Sequence, residues 1–190
     1  MFIEPVDGDE IFTIDGLLSR RECEELVARS EAIGYEAAAV GGENVPQFRN
    51  NARALLEDHS LAADLWRRAA PFIPRFRDGS EALGLHERFR FYRYVTAEKF
   101  GPHHDGCVSR GSDEVSKMTF MVYLSDVERG GDTLFYGPNG VVQFSIRPVS
   151  GKALVFDHLR LHEGAPVLEG TKYVLRTDAM FRQSPLGAKT

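Results

Sequence analysis

From Arg88 onward the chain is a succession of short β-prone runs cut by Gly and Pro turns, and no other feature narrows its possible folds as much. Arg88, Arg90, Tyr92 and Tyr94 alternate with Phe89, Phe91, Arg93 and Val95, the period-2 spacing of a strand with two different faces. Residues 118–124, 133–136, 141–146, 153–156 and 172–181 are further runs of this kind, and Gly130-Gly131 reads as a turn. Short strands with frequent turns predict a sandwich or jelly roll.

Residues 1–87 read as helical. Ser19-Arg-Arg-Glu22 is a capping box, in which Ser19 caps and Glu22 reaches back, with Leu18 and Cys23 placed to form the staple. Cys23, Leu26, Val27 and Ser30 then make one buried stripe, and Gly34 ends the helix. A second helix is expected over 60–70, with Leu61, Leu65, Trp66 and Ala69 on one face and Pro71 and Pro74 as stops. Residues 41–51 are polar and turn-rich, a loop. The expected architecture is one domain, 1–190, of mainly β (α+β) class. A helical support region, 1–87, precedes a jelly-roll core, 88–183. Two domains in 190 residues would leave two small cores.

No apolar run is long enough to span a bilayer, and the acidic start lacks the basic and apolar regions of a signal peptide. Cys23 and Cys107 are too few for a disulfide scaffold. Together these predict no membrane and a cytoplasmic location. A net charge of −5 argues against a nucleic-acid surface. The arginines at 67, 68, 75, 77, 88, 90 and 93 read as a solvated face with ion pairs.

The chemistry sits in Phe100-Gly-Pro-His-His-Asp-Gly106 and His162-Glu-Gly-Ala-Pro-Val167. On an extended segment His103 and Asp105 face the same side and His104 faces away. A nitrogen and a carboxylate can thus reach one ion. With a distant His they make the ligand set of a 2-His-1-carboxylate facial triad, which leaves the opposite metal face open. Alone, H-x-D is a weak signal and reads first as a polar turn after a strand, flanked by Gly101, Pro102 and Gly106. His158 and His162 have the spacing of a helical zinc pair, but H-E-x-x-H lacks its Glu here and 153–156 reads as a strand, so His162 is the preferred ligand and His158 a supporting residue. Lys172 and Arg176 share a strand face. If that face is interior, two buried cations demand anionic partners; if the strand is an edge, both face water.

From 89 to 181 the chain resembles the prolyl 4-hydroxylase-like branch of the Fe(II)/2-oxoglutarate oxygenases. The resemblance is carried, in order and spacing, by Arg90-Phe-Tyr-Arg-Tyr94, Phe100-Gly-Pro-His-His-Asp105, 119–126, Gly130-Gly-Asp-Thr133 with Phe135, Gly151-Lys-Ala-Leu-Val-Phe156, and His162-Glu-Gly-Ala-Pro-Val167 with Gly170 and Lys172. It implies a double-stranded β-helix core supported by N-terminal helices. By position it implies that His103, Asp105 and His162 bind Fe(II). Lys172 would pair with the far carboxylate of 2-oxoglutarate, and Tyr94 would help to bind that cosubstrate. Arg176 departs from the family, where a smaller residue is commoner; it is expected to share the cosubstrate or to anchor a carboxylate of the primary substrate.

The resemblance implies hydroxylation of an unactivated C–H with uptake of O2 and release of succinate and CO2, ascorbate serving as an optional stimulant. The carboxylate of Asp105 favours hydroxylation over halogenation, because halogenating relatives carry a small residue there. The rival readings are another jelly-roll metalloenzyme of cupin type, in which Lys172 would be idle, and a non-catalytic binding module. The substrate is left open among amino acids, peptide or protein residues and small metabolites, as is the oligomeric state. The expected substrate contacts are a lid loop over 106–117 and the polar stretch 47–53. Trp66 and Phe72 are expected in the core, and Cys107 as a buried bystander open to oxidation.

Overall fold

The computed structural model describes residues 1–38 and 45–183. Its larger sheet runs, strand by strand, Phe2–Asp7, Ile11–Asp15, Ala153–Asp157, Glu114–Tyr123, Lys172–Gln183, Arg88–Tyr94, Ala52–Glu57 and Glu36–Ala37, every neighbour antiparallel. A smaller sheet of four antiparallel strands runs Val142–Ile146, Thr133–Tyr136, His162–Gly164 and Phe100–His103. Side chains of both sheets meet in one apolar cluster that includes Tyr92, Tyr123, Phe135 and Phe156. This is a jelly-roll sandwich.

The opposite face of the larger sheet carries a second cluster, covered by two helices. The first helix, Arg20–Ile33, has the full capping box between Ser19 and Glu22 and ends at Gly34. It buries Cys23, Leu26 and Ser30, with Val27 partly buried. The second, His59–Ala69, is capped by Asp58, which accepts from the Leu61 amide. Its buried residues are Ala62, Leu65 and Ala69, with Leu61, Trp66 and Phe72 packed against the same core.

Outside these two helices, the expectation of a helical 1–87 is corrected. Phe2–Asp7, Ile11–Asp15, Ala52–Glu57 and Ser80–Leu85 are strands. Ile11, Phe12, Thr13 and Ile14 are all buried because that strand is covered on both faces, so it shows no alternation to read. Ala52–Glu57 reads Ala-Arg-Ala-Leu-Leu-Glu, a good helix sequence, but it pairs along its whole length with Arg88–Tyr94. Tertiary pairing overrides propensity there. The strand expected over 118–124 starts at Glu114 and is prolonged by a hairpin with Ser109–Arg110, so the expected loop 106–117 is partly sheet. Part of the expected loop 41–51, residues 41–44, lies outside the described residues; in the rest, a turn closes from the Phe48 and Arg49 amides to the Val45 carbonyl.

Most of the arginines expected on a solvated face are in ion pairs: Arg67 with Asp64, Arg68 with Glu22, Arg75 with Glu81, Arg77 with Asp9, Arg90 with Asp178 and Arg93 with Glu31. Among the described residues, no helix is long and apolar enough to cross a membrane.

Candidate metal and dicarboxylate site

Phe100–His103 and His162–Gly164 are neighbours in the smaller sheet, and His103 and His162 are direct partners across the ladder. Cross-strand partners project from the same face, so two residues distant in sequence present their imidazoles side by side. The ring centroids are 4.2 Å apart. His103 Nδ1 lies 2.8 Å from the Gly101 carbonyl and His162 Nδ1 2.9 Å from the Arg160 carbonyl. A carbonyl can only accept, so both Nδ1 atoms carry the proton and both Nε2 atoms keep a free lone pair. These two nitrogens flank one carboxylate, each 3.7 Å from an oxygen of Asp105. All three ligand atoms lie within 4.8 Å of one another.

Two further histidines are excluded from the cluster. His104 is exposed and bonds through Nδ1 to the Leu159 carbonyl. His158 is buried and holds the Thr119 hydroxyl through Nδ1 (3.0 Å) and Ser116 through Nε2 (2.8 Å). Thr119 donates to Asp105 Oδ2 at 2.5 Å. A hydroxyl has one proton to give, so Thr119 must accept from His158 Nδ1–H. His158 therefore supports Asp105 at one remove.

The site's electrostatics suit a cation. Burial pushes the His103 imidazole down to about 3 and lowers His162 as well. Burial alone would raise the Asp105 carboxyl, but Arg176 and then His162 outweigh it and hold it well below the usual range. Two neutral imidazoles and an ionised carboxylate are the protonation states that metal binding requires. The donor set thus fits Fe(II).

The three residues open on a cavity lined by Tyr92, Tyr94, Phe100, Met121, Thr133, Gly164, Lys172, Val174 and Arg176. Lys172 and Arg176 lie on Lys172–Gln183, which has sheet partners on both sides, so the edge-strand reading fails and both cations point inward. Lys172 is 2% exposed. Its Nζ donates to the Gly131 carbonyl at 2.6 Å and sits 5.3 and 5.5 Å from the ring centroids of Tyr94 and Tyr123. Among the described residues it forms no ion pair, and burial pulls it down to about 7. A buried cation without an anion fits one carboxylate of 2-oxoglutarate. The turn that brings the Gly131 carbonyl to Lys172 needs both its glycines. Gly130 and Gly131 have φ of +75° and +74°, and a Cβ on Gly130 would lie 2.5 Å from the Pro166 carbonyl oxygen.

Arg176 is placed otherwise than expected. Its Nη2 is 3.1 Å from Asp105 Oδ1 and 3.0 Å from Asp178 Oδ1, so two carboxylates of the chain already hold it. Sequence reasoning missed Asp178, although a charge two places from Arg176 on a β-prone run was a visible sign of an internal pair. It also missed Thr119 and Phe100. The Phe100 ring stacks on His103 at 3.6 Å and carries Arg49 over it at 4.0 Å. Arg49 does fall in the polar stretch 47–53 expected near the substrate. Cys107, expected buried, is exposed.

The model of the 2OG-Fe(II) oxygenase superfamily matches residues 89–177. Probable prolyl 4-hydroxylase 3 of Arabidopsis thaliana is 27% identical over 199 residues, covering 85% of this chain and 66% of that protein. Prolyl 4-hydroxylase 13 of the same plant is 30% identical over 112 residues, covering 47% of this chain and 41% of that protein. The chain thus spans less than two thirds of the length of these curated relatives. Among solved structures, a viral collagen prolyl hydroxylase of Paramecium Bursaria Chlorella virus-1 aligns with a TM-score of 0.66 at 21% identity, covering 92% of this chain and 97% of that one. A Pseudomonas putida prolyl-4-hydroxylase aligns at 0.68 and 17% identity, covering 93% and 94%. These likenesses establish a shared fold.

Proposed function

We propose that this chain is a member of the 2OG-Fe(II) oxygenase superfamily, in its prolyl 4-hydroxylase-like branch, and that it is an Fe(II)- and 2-oxoglutarate-dependent dioxygenase; the family model over 89–177 and the plant prolyl 4-hydroxylase relatives support this reading. It would hydroxylate an unactivated C–H with release of succinate and CO2. The observation that carries this reading is the pairing of His103 with His162 around Asp105, at one end of a cavity that also holds the unpaired Lys172. In this assignment His103, Asp105 and His162 hold Fe(II), and Lys172 and Tyr94 hold 2-oxoglutarate. When bound, the metal and cosubstrate together supply the activation of O2 and the oxidising equivalent that breaks the substrate C–H bond.

The chain's own residues supply the rest. Lys172 binds and orients a dicarboxylate by charge. The Tyr94 hydroxyl, in a fully buried ring, adds a hydrogen-bond donor that burial keeps protonated. Phe100 and Met121 help to exclude water from the cavity. Asp105 fills the position a halide would need, which supports hydroxylation. A cupin-type enzyme gives Lys172 no task, a non-catalytic binding module gives the complete triad none, and no observation favours either.

For the primary substrate we propose an amino-acid residue of a peptide or protein, ahead of a free amino acid or small metabolite. A groove open to solvent runs past Asp105 along Arg77, Lys117, Leu159 and Arg160. Such a groove admits a chain that continues beyond the reacting residue, as a peptide does. One neighbour in fold, a Trichoplax adhaerens prolyl hydroxylase, is described in complex with a hypoxia inducible factor peptide fragment. We further propose that residues 1–190 act as one domain, because the N-terminal strands complete the larger sheet.

Anaerobic titration of the chain with Fe(II) and 2-oxoglutarate tests the assignment. A weak visible charge-transfer band should appear only with both present. Its absence in a chain that binds Fe(II) would overturn the cosubstrate. Succinate formation against pooled peptides and pooled metabolites then separates the substrate classes.

A further inference from the structure

We infer that Arg176 is a positioning residue for the Asp105 carboxylate, and not a cosubstrate or substrate anchor; this rests on the metal site proposed above. The Asp105 side chain is gripped at both oxygens. Arg176 Nη2 lies 3.1 Å from Oδ1, and Thr119 donates to Oδ2. Nη2 is also 3.0 Å from Asp178 Oδ1 and 3.4 Å from Thr119 Oγ1, so one guanidinium nitrogen ties both arms of the grip together. Asp178 is itself anchored from behind, with Arg90 Nη1 3.1 Å from its Oδ2. Asp105, Arg176, Asp178 and Arg90 thus alternate in charge from the candidate metal site outward. Asp178 is fully buried, Arg176 is 9% exposed, and Arg90 stands nearer the surface.

The geometry follows from strand parity. Arg176 and Asp178 share the inner face of Lys172–Gln183, and Arg176 pairs in register with both Met121 and Arg90. Lys172 is on the same face two pleat repeats away, beyond Val174 and beside Tyr94. The two inward cations therefore serve different ends of the cavity: Lys172 is free of carboxylates, whereas Arg176 already has two. Both carboxylates are met by the one Nη2, which the rigid plane of the guanidinium holds in place; an ammonium on a flexible stem lacks that plane. A carboxylate so fixed has one orientation to offer a cation, and partners that orient a metal ligand typically contribute 10–100-fold in metal affinity. The rival reading is that Arg176 is only the counter-ion of buried Asp178.

The test is Mn(II) binding to the metal-free full chain, followed by 2-oxoglutarate binding at saturating Mn(II). Wild type is measured first; if it binds no Mn(II), the metal site itself is wrong. Given wild-type binding, Arg176→Met should weaken Mn(II) about 10–100-fold and shift 2-oxoglutarate affinity by no more than a few-fold. Lys172→Met should do the reverse. Arg176→Lys keeps the charge and loses the rigid planar group that places Nη2, so it should recover only part of the Mn(II) affinity, and it carries the test if Arg176→Met does not fold. Co(II) absorption gives a second readout: its ligand-field bands should change shape in Arg176→Met and not in Lys172→Met. Mn(II) affinity within about twofold of wild type in a folded Arg176 variant, with a lowered melting temperature, would assign Arg176 to Asp178 alone. Unchanged Mn(II) affinity with weakened 2-oxoglutarate would make it a cosubstrate anchor. Either result overturns the inference.

Discussion

The two faces of the larger sheet are built from the same strands and do opposite work. On Lys172–Gln183, Leu175, Ala179 and Phe181 point outward to the helices, while Lys172, Val174, Arg176 and Asp178 point into the sandwich. On Glu114–Tyr123, Met118, Phe120 and Val122 join the outer core, and Thr119, Met121 and Tyr123 the inner one. On Arg88–Tyr94, Phe89 and Phe91 face out and Tyr92 and Tyr94 face in. The outer face is almost wholly apolar and gains stability from burial. The inner face buries a lysine, an arginine and aspartates, groups whose desolvation works against folding. One helix-covered face thus stabilises a sheet whose other face carries the candidate site beside a second apolar cluster.

The widest contrast should come from replacing groups on the inner wall. His103→Ala and His162→Ala should each abolish 2-oxoglutarate turnover, while His104→Ala, one residue away and exposed, should leave most of it. Succinate release measures this. Equal losses in all three would mean that the pairing of His103 with His162 does not define the site.

On the outer face, Phe181→Ala removes a fully buried ring and should cost about 3–5 kcal/mol. At about 2–4 °C per kcal/mol for a chain of this size, calorimetry will resolve the fall in melting temperature. Metal and cosubstrate affinity of the folded fraction should be unchanged. A variant that lost affinity at unchanged stability would break the division between the faces.

Lys172 should show the inner face working against stability. Lys172→Ala should raise the KM for 2-oxoglutarate about 10- to 150-fold, the equivalent of roughly 1.5–3 kcal/mol for a charged hydrogen bond in a dry pocket. In the ligand-free chain, Lys172→Met should increase stability. The sign follows from burial, which lowers the folded-state value from 10.5 to about 7. Above 10.5 the amine is neutral folded or unfolded and costs nothing. As pH falls from 10.5 towards 7 the unfolded chain takes up a proton that the folded chain refuses, and stability is lost; below 7 the loss is constant. The advantage of Lys172→Met should therefore be on the order of a few kcal/mol at neutral pH and vanish near pH 10.5. Denaturant melts across that range decide it. A Lys172→Met advantage that is flat with pH would show that the lysine is not the buried cation described.

The smallest effect belongs to the capping box. Ser19→Ala should cost about 1 kcal/mol and leave the site untouched. The Glu22 carboxyl is held down at about 2, first by the Ser19 amide and then by the Ser19 hydroxyl. Its contribution is present above about 4.5 and is lost as pH falls towards 2. The Ser19→Ala penalty should thus shrink on acidification, which urea melts at pH 7 and pH 3 can follow.

Local signals were legible wherever a residue's neighbours in sequence supply the physics. Ser19 and Glu22 lie within one helical turn, so the first helix could be placed from its cap. The alternation of 88–94 and the Gly130-Gly131 turn were readable for the same reason. The strand Ala52–Glu57 was not, because the strand that pairs along its whole length, Arg88–Tyr94, lies more than thirty residues away and its own residues prefer a helix. The hairpin at 109–115 was hidden in a polar, Gly-containing stretch that reads as loop. At the site, residue types and order identified His103, Asp105, His162 and Lys172 as candidates.

By itself, then, the sequence determined which side chains could do chemistry and the period of the strands that carry them. Only the tertiary structure decided that His103 lies directly across from His162, and that Lys172 is left without an anion while Arg176 is held by Asp105 and Asp178. The physical reason is that a strand's two faces are fixed by parity, but what each face meets depends on register with strands far along the chain. Of two cations two pleat repeats apart, one can lack a carboxylate and the other hold two, and nothing local to either residue distinguishes them.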